Sequence, residues 1–450
     1  MTGSRFSSAL AGLEAINKKP VVIRTATPVT KRQSLVFSDE QEAFLSSNNP
    51  RILLSALAGC GKTSSLFEFA RRRPHQKWRL LVLNRGLADR LSKLCPANVQ
   101  VSTLHKMAYA AQGYQLSHKL VAGELSLSSL AAFSNGQPPG FVEALRSGLN
   151  QFCFSSDASP SSLHAPLAWR LSEYWDPVVW EKSLGSLWRA CLSAESSMPA
   201  THAVYLKRFC QQSHPWNGTY WMLDEAQDWP NAVLDAFHRC TRVSIRAGDP
   251  CQRLYAFRGA SFGAWHNPDM ETEFRLSTSW RASEALAPWL NDCLQKLPGG
   301  WVWHGQDNVE CEVQPRSETS TLDELVAFNP TAVLMDRWKP LERLAKTVSS
   351  HYRIVWPEGL ERQHVQTDAL PNLFLSTIHS AKGMEFNRLW LPDELVQPGL
   401  SPAQTARLFY VALSRASRAV SFRDFNRHAV STTIQDDVLF EESSLDTWFV

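Results

Sequence analysis

No stretch of the chain is apolar for long enough to cross a membrane, and the N-terminus has no apolar core of the kind a secretory signal needs. Membrane and exported classes are not expected; a cytoplasmic protein is. No Cys-x-x-Cys pair occurs, and the nine cysteines are scattered at irregular spacings. Neither a zinc site nor a disulfide framework is indicated, and thiols in a reducing compartment fit best. A dominant charge is also missing. The formal net charge of +3 is too small to mark a nucleic-acid binder by itself, so any basic surface must be local. What remains is 450 residues with the apolar and charged content of an ordinary globular protein, enough for two or three domains with sizeable cores.

Two elements carry chemistry. The apolar run Ile52-Leu53-Leu54 leads into Ala56-Leu57-Ala58-Gly59-Cys60-Gly61-Lys62-Thr63, a strand entering a glycine-rich turn and then a helix. In such a turn the backbone of Ala58, Gly59, Cys60, Gly61, Lys62, Thr63 and Ser64 can surround phosphate oxygens, while Lys62 neutralises the outer phosphates and the Thr63 hydroxyl holds magnesium. Ala56 stands where the usual pattern has glycine. Much further along, Tyr220-Trp221-Met222-Leu223 precedes Asp224-Glu225-Ala226-Gln227-Asp228. Asp224 can bind Mg2+ through water, and Glu225 can orient and deprotonate an attacking water. In this order the pair reads as a site that hydrolyses ATP or a related triphosphate.

Residues 1–35 read as a flexible basic arm. From Phe37 short apolar strands alternate with helices: a helix capped by Ser38, strand 51–55, helix 62–72, strand 79–83, helix 86–94 and strand 99–101. That alternation predicts an α/β fold with a parallel sheet covered on both faces. Over 106–216 strands vanish and helical segments dominate, including 141–154 and a long run over 166–194. The alternation resumes over 217–275. A second α/β unit spans 276–432, and 433–450 form an acidic tail.

Gly248-Asp249-Pro250-Cys251-Gln252-Arg253-Leu254-Tyr255-Ala256-Phe257-Arg258-Gly259-Ala260 resembles the third motif of superfamily 1 helicases of the UvrD/Rep type, and other blocks follow in that family's order. Through Leu83-Asn84, Thr103-Leu104-His105-Lys106-Met107-Ala108-Tyr109 and Thr201-His202-Ala203-Val204-Tyr205-Leu206-Lys207 the chain resembles the helicase core of the F-box DNA helicases. No F-box is expected ahead of it. The resemblance implies two RecA-like P-loop lobes with a helical insertion in the first, ATP between the lobes and single-stranded DNA across them.

It also implies roles. Gln41 would read adenine, and Trp280 would stack on it where the family usually has tyrosine. Gln252 would sense the terminal phosphate. Arg281 and Arg415 would neutralise its charge. Glu385, in Ser376-Thr377-Ile378-His379-Ser380-Ala381-Lys382-Gly383-Met384-Glu385-Phe386, would bind the ribose. Asn84, Thr103, His105, Tyr255, Phe257, Arg258, Thr377 and His379 would lie near DNA, the aromatics stacking on bases. Hydrogen-bonded loop histidines are the alternative for His105 and His379, and sheet-edge packing for Tyr255 and Phe257.

The resemblance is uneven. Asp336-Arg337-Trp338 replaces an Arg-Thr/Ser-Asn signature, and only about forty residues separate Met335 from Leu375, so the second-lobe insertion of larger relatives is absent or vestigial. The expected function is ATP-driven 3′ to 5′ translocation on single-stranded DNA and at single-strand/duplex junctions, in repair, recombination or replication. A DNA-stimulated ATPase switch that recruits a nuclease, clamp or repair factor is the rival. A P-loop kinase or metabolic ATPase would not need Gln252, Arg281 and Arg415 in this order. The ending Leu445-Asp446-Thr447-Trp448-Phe449 is similar to clamp-docking peptides but lacks their glutamine, and packing of the tail against the chain's own second lobe is the expected role ahead of docking.

Overall fold

The computed structural model describes residues 36–212, 216, 220–254, 271–316, 319–357, 370–396 and 399–423. Among these the chain divides into two compact units, the first running from Phe37 to Trp280 and the second beginning at Arg281. Each is an α/β unit built on a six-stranded sheet.

In the first unit Ser38 caps helix Asp39–Leu45 with a reciprocal Ser38–Gln41 capping box. Strands β1 (Arg51–Ala56), β2 (Trp78–Val82) and β3 (Val99–Thr103) follow, separated by helices Lys62–Arg71 and Arg85–Ser92. After a largely helical stretch carrying the short strands β4 (Leu120–Val121) and β5 (Ala200–Thr201) come β6 (Tyr220–Leu223), β7 (Val243–Gly248) and β8 (Thr272–Leu276). The sheet order is β3-β2-β6-β7-β1-β8, and every pairing is parallel. Parallel order has one functional consequence. The residues after β1, β2, β3, β6 and β7 all emerge at the same carboxyl edge, where ligands of open α/β sheets bind.

The helical stretch departs from expectation in two places. Helix Phe141–Phe154 forms as the periodicity predicts, but the run over 166–194 is broken into Leu167–Arg170 and Pro177–Leu192. The break arises because the Asp176 side chain accepts from the Val178 and Val179 N–H groups and so starts a new helix with Pro177 in its first turn. Strands do not vanish here either: β4 and β5 pair in parallel, too short to show a period of two. Close packing fixes the bundle. A Cβ on Gly148 would lie 2.5 Å from the Trp180 ring, so the two long helices meet only because that position is glycine. Leu53, Leu81 and Leu223 of the sheet share one continuous apolar core with Phe152, Trp180, Leu184 and Phe209 of the helices.

Strand β9 (Thr278–Ser283) and β10 (His304–Gln306) form a small two-stranded sheet. In the second unit β11 (Glu312–Arg316), β12 (Ala332–Met335), β13 (Arg353–Val355), β14 (Asn372–Thr377), β15 (Phe386–Trp390) and β16 (Ala416–Arg423) assemble in the order β11-β16-β15-β12-β14-β13. All these pairings are parallel as well. Val333, Leu375 and Trp390 pack with Leu341, Ala345 and Val348 of helix Trp338–Val348. The edge strands β8 and β11 escaped the sequence reading because their residues are mostly polar and half-exposed. No described helix is long and apolar enough to cross a membrane.

Candidate functional site

The turn after β1 is shaped by two glycines with φ of 80°, Gly59 and Gly61, a backbone that side-chain-bearing residues rarely adopt. Helix Lys62–Arg71 then starts with no side-chain cap, so its first N–H groups remain available to an anion. Gln41 and Trp280 close over this turn. A Cβ on Gly61 would come within 3.0 Å of the Gln41 amide nitrogen and 3.5 Å of the Trp280 ring, and the Trp280 N–H donates to the Gly59 carbonyl at 3.0 Å. Gln41 is held by Ser65, to whose hydroxyl its amide donates at 2.9 Å, and by the Ser38 N–H, which donates to its Oε1 at 3.1 Å. Among the described residues, one N–H and one lone pair of the amide stay open for a base edge. The Trp280 ring is half-exposed, Cys60 and Ala58 are buried, and Ser64 points to solvent.

β6 delivers the carboxylates to the same edge. Asp224 is buried, with its N–H on the Leu81 carbonyl and its own carbonyl accepting from the Trp229 indole at 2.9 Å. The Thr63 hydroxyl stands 3.5 Å from Asp224 Oδ2, and Lys62 Nζ lies 3.8 Å from Glu225 Oε1. Burial, reinforced by the neighbouring Glu225 charge, pushes the Asp224 carboxyl up to about 6 against the pull of Lys62 and the Glu225 N–H. Glu225 has a φ of 50°, a left-handed conformation that costs a non-glycine residue about 1 kcal/mol or more and marks it as held by its surroundings.

A relay of side chains continues from it. Gln227 donates to Glu225 Oε2 at 2.5 Å and accepts from the Asp249 N–H at 3.1 Å; Asp249 in turn accepts from the Gln252 amide at 2.8 Å. Gln227 and Asp249 both stand in quoted motifs, yet residue type alone assigns neither a role. Their signal was positional, since each stands just past the end of a strand on the loaded edge.

At the neighbouring loops Asn84 accepts from the Leu87 N–H and caps helix Arg85–Ser92, while Thr103 accepts from the Lys106 N–H and caps Leu104–Ala108. His105 packs edge-on to Tyr205. Tyr255, Phe257 and Arg258 lie outside the described residues.

In the second unit Arg281 is ion-paired to Glu385. Glu385 precedes β15 and Arg415 precedes β16 at the amino edge, where the Phe386 N–H donates to the Arg415 carbonyl at 2.9 Å. The buried Arg415 guanidinium donates to the Val411 carbonyl at 3.1 Å and to the Ser414 hydroxyl at 2.8 Å. Thr377 closes a turn at the opposite edge, accepting from the Ser380 N–H at 3.1 Å, and His379 within that turn is half-exposed.

The chain has two parallel-sheet units, with a phosphate-type loop and paired carboxylates at one edge of the first, and residues 354–422 match the UvrD-like helicase C-terminal domain. Among curated proteins the chain is 22% identical to the F-box DNA helicase 1 of Gallus gallus, over 92% of this chain and 52% of that protein. It is 27% identical to the F-box DNA helicase protein 1 of Schizosaccharomyces pombe, over 64% of this chain and 36% of that protein. The chain is thus similar to UvrD-like superfamily 1 helicases, the F-box DNA helicases among them, and spans about half or less of the length of these two curated relatives.

Proposed function

We propose that the chain hydrolyses ATP to translocate along single-stranded DNA, 3′ to 5′, unwinding duplex or displacing bound proteins. The observation that carries this reading is the relay from Glu225 through Gln227 and Asp249 to Gln252. It ties the water-activating carboxylate to the residue that precedes the 255–258 segment assigned to DNA. Lys62 and the uncapped helix N-terminus hold the phosphates, Glu225 takes the proton from the attacking water, and Arg281 and Arg415 offset charge as the phosphoryl group leaves. Gln41 and Trp280 hold the base, and Glu385 the ribose.

Thr63 and Asp224 offer a hydroxyl and a carboxylate, oxygen donors of the kind magnesium takes, and the buried Asp224 charge is one a cation would stabilise. When bound, the ion supplies positive charge against the phosphate oxygens.

The relatives' names speak of DNA, and the order of motifs supports carrying that substrate over. A cytoplasmic location and a nuclease, clamp or repair partner belong to the same reading. A second reading, an ATPase switch that recruits such a partner without processive unwinding, is favoured by the short stretch between β12 and β14. ATPase rates with and without oligo(dT), followed by displacement of streptavidin from a biotinylated DNA end, decide between them. Stimulation with displacement supports translocation, stimulation alone supports the switch, and no stimulation overturns both.

A further inference from the structure

We propose that Tyr109 and Tyr114, with Lys106 beside them, form a further stacking platform for single-stranded DNA on the first unit, separate from Tyr255 and Phe257. The proposal rests on the reading above and extends its DNA track into the helical stretch that follows β3.

The two rings are exposed although aromatic side chains normally gain by burial: Tyr109 is 37% and Tyr114 72% accessible. Their neighbours leave room around them, since Lys106, Ala110 and Ala111 are also exposed. The backbone places them together. Residues Tyr109–Gly113 form a π-helical turn in which the Tyr114 N–H donates to the Tyr109 carbonyl, so Tyr114 follows Tyr109 by one wide turn. Lys106 stands three residues before Tyr109, one helical turn earlier on the same face. A cation and two rings thus succeed one another along one surface.

Tyr109 is also held in place. It packs against Tyr205 with centroids 6.0 Å apart at 74°, and the buried Tyr205 is fixed by the hydrogen bond between its hydroxyl and His202 Nδ1 at 2.9 Å. His105 packs on the same Tyr205 at 88°. The contact requires glycine at 113, where a Cβ would fall 2.7 Å from Tyr109 Cδ2 and 3.1 Å from the Tyr205 ring. One buried tyrosine therefore positions both His105, which leads from the loaded edge of the sheet, and Tyr109. A ring fixed before binding loses little freedom when a base stacks on it. Rings that accept any base beside a cation that meets phosphate are the chemistry of sequence-independent single-strand binding.

The test measures binding of the full chain to fluorescein-labelled oligo(dT) by anisotropy. Tyr109→Ala and Tyr114→Ala should each weaken binding by roughly 5- to 150-fold. Tyr109→Trp should retain it because the stack is kept, and the melting curve of Tyr114→Ala, which removes a ring that is 72% accessible, should overlay that of the parent. Lys106→Ala should lower the slope of log affinity against log salt by about 0.7. Oligonucleotides carrying 5-bromodeoxyuridine should crosslink to Tyr109 on irradiation. Tight binding by the parent with unchanged affinity in the Tyr109→Ala/Tyr114→Ala double variant would overturn the platform and leave the helicase reading intact, pointing to a protein partner for this surface. Failure of the parent to bind oligo(dT) would instead remove both.

Discussion

The side-chain amide of Gln227 donates to the Glu225 carboxylate at 2.5 Å, and the same amide accepts from the Asp249 backbone at 3.1 Å. Glu225 is thus oriented by a group that also feels the loop carrying Gln252. A hydrogen bond to a charged group is worth about 1.5–3 kcal/mol. Gln227→Ala should therefore lower ATP turnover by roughly ten- to hundredfold while nucleotide affinity changes little. Stopped-flow hydrolysis with a parallel nucleotide titration checks it, and a loss confined to affinity would show that Gln227 only shapes the pocket.

Lys62 and Glu225 should separate binding from chemistry. On the proposed reading Lys62→Ala removes the point charge set against the phosphates, and it should weaken nucleotide binding as well as abolish hydrolysis. Glu225→Gln keeps the shape and removes the base, so ATP and DNA binding should persist while hydrolysis falls by orders of magnitude. Normal turnover in the glutamine variant would remove Glu225 from the role of base.

Arg281 is engaged by Glu385 within the second unit, which keeps its charge neutralised there. An arginine whose use comes as the phosphoryl group leaves should matter more to kcat than to binding. Arg281→Ala and Arg415→Ala should each depress turnover far more than ATP affinity. Equal loss of affinity with unchanged kcat would mark them as binding residues instead.

Most of the strands that carry the site were legible because buried parallel strands read as short apolar runs, as in Leu80-Leu81-Val82 and Trp221-Met222-Leu223. The glycine turn and the paired carboxylates announce their own conformations. The relay was not legible as a relay, because Gln227 and Asp249 meet only through the register of β6 against β7, where Leu223 pairs with Arg246. The broken helix at Asp176 was missed for a related reason: apolar spacing continues across it, and only the Asp-Pro cap interrupts it. The ion pair of Arg281 with Glu385 joins residues far apart in the chain, and nothing in either local sequence points to the other.

Three histidines set a pH limit on stability. Burial holds His164, His202 and His238 below their usual value of 6.5. At His238 Glu271 and Asp235 oppose that shift while Arg246 and Arg51 reinforce it, and at His164 Ser161 and Asp157 oppose it while Lys207 reinforces it. A depressed folded value means the unfolded chain takes up protons first as pH falls. The stability is present above 6.5 and is lost progressively below it. Asp224, raised to about 6, works the other way because acid relieves its burial, but it is one group against three. The melting temperature should therefore fall from pH 7.5 to 5.5, and His238→Gln should flatten the dependence. A melting temperature that rises steadily to pH 5.5 would refute this balance.

Between β12 and β14 the described residues form only helix Trp338–Val348 and the three-residue strand β13, where the resemblance to superfamily 1 helicases leads to the expectation of an inserted subdomain that contacts duplex. The groups assigned to phosphate chemistry and to the single strand lie elsewhere: Lys62, Asp224 and Glu225 at the carboxyl edge of the first sheet, Thr377 at the end of β14 and His379 just after it. Translocation should then survive without that subdomain while duplex opening suffers. Single-strand-stimulated ATPase and streptavidin displacement should be strong, and unwinding of long duplexes by the isolated chain weak, improving when several molecules share one strand. Single-turnover unwinding of 3′-tailed and 5′-tailed duplexes of increasing length measures this. Processive opening of long duplexes by a monomer would overturn the argument from the short connection, and a requirement for a 5′ tail would reverse the assigned polarity while leaving the ATP chemistry in place.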